Sequence, residues 1–120
     1  MLIDDAANAF RKAAGEGRYT KERSLVNAKG WVVKDQDGER YTSGMGVSQS
    51  EAEEAIIHLE VKDGITAALK EMISVRVLTV ALMNCGAPPQ QALALANKLL
   101  PAIIDLGASE GTEVLIEKAN

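Results

Sequence analysis

The run "ITAALKEMISVRVLTVALMNCGAPPQQALALANKLLPAIIDLG", residues Ile65 to Gly107, decides what fold this chain can make. Ile65, Leu69, Met72, Ile73, Val80 and Met83 recur on one side of a helix, and Val75, Val77, Leu78 and Leu82 widen the stripe. The length of that pattern predicts a largely buried helix over 65–83, although the β-branched content of 74–80 also suits a strand. Asn84 and Gly86 supply a stop, and Pro88 or Pro89 restarts the helix at a position where a missing N–H costs nothing. Pro101 is expected to kink or end that second helix. Its segment "ALALANKLLPAII" is apolar on nearly all sides, apart from Asn97 and Lys98. A small domain has few places to hide such a helix, so Ala92, Leu93, Leu95, Ala96, Leu99, Leu100 and Ile103 are the expected subunit interface. The last segment reads as a further helix capped by Ser109 or Thr112, with a short strand over 112–117 as the alternative.

Upstream, "SGMGVSQSEAEEAIIHLEVKDG" opens a helix. Ser48 and Ser50 each have a glutamate three residues on, Glu51 and Glu53, so a capping box is available in either frame. Ala52, Ala55, Ile56 and Leu59 follow at amphipathic spacing, and the helix is expected to end near Asp63-Gly64. The chain reads as one domain over 1–120. A possible seam near 63–64 would divide an α/β part (1–63) from a helical part (64–120).

Nearer the N-terminus, "DDAANAFRKAAGEG" is a short helix capped by Asp4 or Asp5, with Ile3, Ala6, Ala7, Phe10 and Ala14 on its apolar side. "RYTKERSLV" is a polar strand candidate, and "GWVV" and "ERYTS" flank the turn signal "DQDG". A two-residue Asp37-Gly38 turn would set Asp35 against Arg40 and Val33 against Thr42. A four-residue loop would set Lys34 against Glu39 and Val32 against Tyr41. The second is preferred because it joins an ion pair to an aromatic–aliphatic pair. Trp31 and Val33 then share the opposite face, toward the helices. The expected fold is α+β and mostly helical: a short N-terminal helix, a small antiparallel hairpin or three-stranded sheet, then three to four packed helices.

Composition excludes several classes. Aromatics are only 3% of the chain, all within the first 41 residues, so the core must be built from small and aliphatic side chains. A net charge of −4 argues against a large phosphate footprint. A lone cysteine, Cys85, fits a reducing compartment and reads as a small buried residue. An acidic N-terminus is unlike a signal peptide, and the densest apolar stretch, Val77 to Met83, is too short to span a bilayer. The expectation is a cytoplasmic protein with no membrane partner.

The candidate chemistry is sparse. Gly44 and Gly46 precede a helix N-terminus, but Glu51, Glu53 and Glu54 there would repel a phosphate, and no P-loop lysine is present. His58, the only histidine, has Glu54 and Lys62 one turn away on either side, which makes a solvated polar face rather than a metal site. Adjacent acids such as Glu53 and Glu54 point about 100° apart on a helix and form no dyad. No catalytic, metal or cofactor residue is assigned, and no enzyme is expected.

Nucleic acid is the rival. Arg18, Lys21, Arg23, Lys34 and Arg40 gather on the proposed sheet with Tyr19, Trp31 and Tyr41. In the order of its elements alone, and with no shared motif, residues 18–62 resemble the arm-binding domains of tyrosine recombinases, whose small sheet enters a groove. Nearby acids leave the local field almost neutral, however. A helix-turn-helix near 78–100 would carry Lys98 as the only charge on its recognition helix. The sequence therefore points to a non-catalytic interaction or regulatory module, an adaptor or inhibitor. It would bind another protein, form a homodimer, and suit a phage or mobile-element accessory role. A DNA-binding regulator is the alternative.

Overall fold

The computed structural model describes residues 5–15 and 17–117. The order is α1 (Asp5–Ala14), β1 (Tyr19–Arg23), β2 (Trp31–Asp35), α2 (Gln49–Met72), α3 (Val75–Asn84) and α4 (Pro89–Glu117). The fold is α+β and mostly helical. Ile3 and the Asp4 cap lie outside the described residues.

The sheet has two antiparallel strands, with Tyr19 opposite Asp35 and Arg23 opposite Trp31. The polar segment "YTKER" is thus the main partner of β2, and residues 39–42 add only an isolated bridge, Lys34 to Arg40. That bridge lies between the two registers expected from the sequence, so neither holds. The cause is a three-residue loop. Gly38 donates its N–H to the Asp35 carbonyl at 3.1 Å, and the Asp35 N–H closes on the Glu39 carbonyl at 3.0 Å. Gly38 sits at φ +84°, where a side chain would be strained. Lys34 consequently pairs with Glu22, and Tyr41 meets Tyr19 edge-on. Trp31 and Val33 face α2 as expected, packing with Tyr19 over Ala52, Ile56 and Leu59.

α2 begins with the Ser48 frame of the capping box: Ser48 accepts from the Glu51 N–H, and Glu51 accepts from the Ser48 N–H. It does not end at Asp63-Gly64 but runs on to Met72. Gly64 is there because α1 crosses on top of it. A Cβ at this position would lie 2.1 Å from the Phe10 carbonyl oxygen. Around that crossing Ala7, Val61, Ile65, Ala108 and Ile116 form the main core, with Phe10 packed against it. Arg11 pairs with the buried Glu60 at 2.9 Å and fixes α1 along α2.

Residues 65–83 are not one buried helix. The chain breaks at Ile73, which is extended, and Ser74 caps α3 by accepting from the Val77 N–H. The 74–80 ambiguity resolves as helix from Val75, and α3 contains no buried residue. Pro89 is the first residue of α4, and Pro101 lies inside α4 without ending it. Residues 112–117 are helical and belong to this same element. Ser109 and Thr112 are interior residues rather than caps, and the Thr112 hydroxyl donates to the Ala108 carbonyl one turn back.

Candidate protein-interaction surface

α2 and α4 lie alongside each other, with Ile65 beside Gly111 and Leu69 beside Gly107. α2 therefore stops near the level of Pro101, where Thr66, Lys70 and Ile73 share a cleft with Leu100 and Pro101. Residues 89–100 of α4 continue past that point with only α3 beside them. α3 and this half of α4 form a two-helix arm, and the molecule measures 58 × 30 × 20 Å. Its radius of gyration is 17.9 Å. A compact chain of this length would have about 13.6 Å.

The arm is apolar inside and out. Ala92 and Ala96 are fully buried, enclosed by the arm's own two helices, and Val75, Leu78 and Leu82 are half-buried. On the outer side of α3, Val77 is 57% exposed, Val80 50%, and Met83 is also exposed. On α4, Leu95, Leu99, Ile103 and Leu106 recur at i, i+4, i+8 and i+11 and share one side. Of these, Leu95 is 42% and Leu106 is 60% exposed, and Ile103 is exposed too. The body-facing side of α4 is a different row, with Ile104, Ala108, Thr112 and Ile116 buried at four-residue intervals. Only Arg76 and Lys98 carry charge between residues 75 and 100.

The expected interface set therefore divides. Ala92 and Ala96 are interior and unable to touch a partner, a correction to the sequence reading. Leu100 is half-buried and lines the cleft beside α2. Leu93, Leu95 and Ile103 are exposed, and Leu99 is half-buried on the exposed row. Sequence reasoning missed Val77, Val80 and Met83 because it assigned α3 to the core. The overlooked signal is that "VRVLTVALMN" is apolar on every side, so at ten residues beside a single neighbour it must leave one side uncovered.

Two sequence features mark the base of the arm. Ile73 and Ser74 interrupt α2, and Pro101 lacks the N–H that would donate to the Asn97 carbonyl. The cleft between them is about 600 Å³, apolar at Ile73, Leu100, Pro101 and Ile104, with Lys70 and Asp105 at its edge. Asp105 reaches Lys62 at 3.5 Å. Cys85 lies at the tip of the arm and is exposed, contrary to the buried position expected.

The five basic residues of the rival reading are not brought to one surface. Arg18 pairs with Asp63 of α2 at 3.1 Å, and Lys21 pairs with Glu53 of α2. Arg23 lies 4.8 Å from the Trp31 ring centroid and donates to the Ala28 carbonyl. Lys34 and Arg40 line a small groove with Val32 that Arg23 also borders, away from Arg18 and Lys21, and Lys34 is 3.1 Å from Glu22. Three of the five are thus in ion pairs. The indole is covered by two cations, since the Lys21 ammonium is 5.4 Å from its centroid. Hydroxyl–carboxylate pairs complete the sheet. Tyr19 donates to Asp63, and burial followed by that bond pushes its pKa well above the usual range. Tyr41 donates to Asp35 at 2.8 Å. That bond holds the Asp35 carboxyl below its ordinary value and pushes Tyr41 up to about 12.

His58 is half-buried in a shallow groove with Leu59, Lys62 and Thr112. Among the described residues no three His, Cys, Asp or Glu side chains are gathered as metal ligands. By length and composition alone α4 is long and apolar enough over Pro89–Ile116 to cross a membrane, and unlike a core helix it is mostly uncovered. No protein-family model matches the chain, and no curated protein or solved structure is similar to it.

Proposed function

We propose that this chain is a non-catalytic protein-interaction module, an adaptor or inhibitor, and that its α3–α4 arm is the surface it works through. One observation carries the reading: a projecting pair of helices, almost uncharged, keeps aliphatic side chains on its outer sides while its inner side is already filled by Ala92 and Ala96. Apolar surface of this kind is a contact surface waiting for a partner. Protein is favoured over a bilayer because the second half of α4 already packs on the body through Ile104, Ala108, Thr112 and Ile116, while α3, at ten residues, is only about 15 Å long, half the thickness of the hydrocarbon layer. Protein is favoured over nucleic acid because Arg18, Lys21 and Lys34 already have carboxylate partners. The cytoplasm would suit a protein with a free, exposed Cys85.

The test is capture from extracts of the source, with and without nuclease, using wild type and Val80→Asp. Val80 is half exposed on the arm and apart from the core of Val61, Ile65, Ala108 and Ile116, so a charge there leaves the body of the fold standing. A protein partner that survives nuclease and is lost with Val80→Asp supports the reading. Partners that vanish with nuclease, or with Arg23→Ala and Arg40→Ala but not Val80→Asp, overturn it in favour of DNA binding.

A further inference from the structure

We infer that the arm's first partner is a second copy of this chain, docked antiparallel so that each arm lies along the α4 stripe of the other. This rests on the reading of the arm as a contact surface and names its occupant.

The area fits a dimer. The surface of the chain is 7807 Å². A folded monomer of its 12.8 kDa would expose about 6,300 Å². The surplus of about 1,500 Å² per chain is what an obligate homodimer hides on each side, and such interfaces are the apolar ones.

The lengths fit as well. The outer residues of α3, Val77 to Met83, span roughly 10 Å, and the stripe from Leu95 to Leu106 spans roughly 16 Å at 1.5 Å per residue. One chain carries both faces, so a two-fold axis lets each α3 cover the other chain's stripe in a single closed contact. Orientation follows from where the stripe ends. Ile103 and Leu106 lie beyond Pro101, past the reach of the chain's own α3. A tip-to-tip parallel pair would leave them uncovered. In an antiparallel pair the partner's Met83 end reaches them, and Leu95 and Leu99 fall near the axis. The two Cys85 tips then stand roughly 30 Å apart, the length of about twenty helical residues.

Sedimentation equilibrium on the full chain, with and without phosphatidylcholine vesicles, tests the partner, and spin labels on Cys85 test the orientation. The expected result is a mass of twice 12.8 kDa, no vesicle binding, and a label separation near 30 Å. Leu95→Asp and Leu106→Lys, at exposed positions, should each weaken the dimer on the order of a hundredfold while α2 keeps its hydrogen-exchange protection. Labels within about 15 Å would overturn the antiparallel arrangement. A monomer at every concentration, or one that floats with vesicles, would overturn the second copy as occupant. If that monomer still loses a captured protein with Val80→Asp, the contact-surface reading survives. If it does not, both fall.

Discussion

Gly64→Ala separates two opposing effects at one atom. In the middle of a helix, alanine is worth about 1 kcal/mol over glycine, so on propensity alone the change should stabilise α2. The new Cβ, however, would lie 2.1 Å from the Phe10 carbonyl oxygen and 2.7 Å from the Phe10 Cβ. The obstacle is backbone, so α1 as a whole must retreat from α2. The retreat loosens Ala7 and Phe10 from Val61, Ile65 and Ile116, a packing of about 2–4 kcal/mol at full loss. It also lengthens the Arg11–Glu60 pair, leaving a buried carboxylate less well satisfied. The net expectation is a loss of about 1–3 kcal/mol, read as a lower urea midpoint with faster hydrogen exchange in α1. Gly111→Ala is the control. Its Cβ would meet only the Ile65 side chain, Cδ1 at 3.1 Å and Cγ2 at 3.6 Å, so the helix gain of up to about 1 kcal/mol should appear there. If Gly64→Ala stabilises the protein as Gly111→Ala does, the close crossing of α1 over α2 is wrong.

Two further outcomes concern the sheet. Trp31→Ala should cost about 2–3 kcal/mol in thermal or urea melts, less than a fully enclosed aromatic, because the indole is only half-buried beneath Lys21 and Arg23. An unchanged midpoint would mean that the ring is not what pins the sheet to α2. The Tyr41–Asp35 bond sets a pH window at the turn. Asp35 is depressed, so its contribution is present above the unfolded carboxyl value of about 3.9 and is lost as pH falls through the lower folded value. Tyr41 is raised, so its contribution is present below the unfolded value of about 10 and is lost as pH rises through about 12. Tyr41→Phe should bring the Asp35 titration, followed by NMR, up toward the ordinary carboxyl value. No movement would show that the hydroxyl does not hold it.

What could be read in the sequence follows from how local the determinant is. The Ser48–Glu51 capping box and the start at Pro89 depend on neighbours within one turn, and both were legible. Gly64 reads locally as a stop, whereas its cause, the Phe10 carbonyl, lies 54 residues away. Pro101 reads as a kink or an end from its missing N–H alone, and α4 does not end there but continues to Glu117. The turn register was missed because three loop residues satisfy Asp35 and Gly38 better than the side-chain pairing that seemed to favour four. At the candidate surface, the apolar residues of 92–103 include both exposed and buried positions. Periodicity could not tell Ala92 and Ala96, which are interior, from Leu95 and Ile103, which are exposed. Nor could it reveal that α3 stands outside the core, since a buried helix and one with an uncovered apolar side can have the same composition.

A two-helix arm with aliphatic residues on both its inner and outer sides should not hold its structure alone. Hydrogen exchange of residues 75–100, followed against protein concentration, tests that claim directly. The expected result is protection close to that of α2 in concentrated wild type. On dilution it should fall steeply, and Val80→Asp should lose it at every concentration, while residues 49–72 stay protected throughout. Arm amides that remain as slow as those of α2 in a dilute, demonstrably monomeric sample would contradict it.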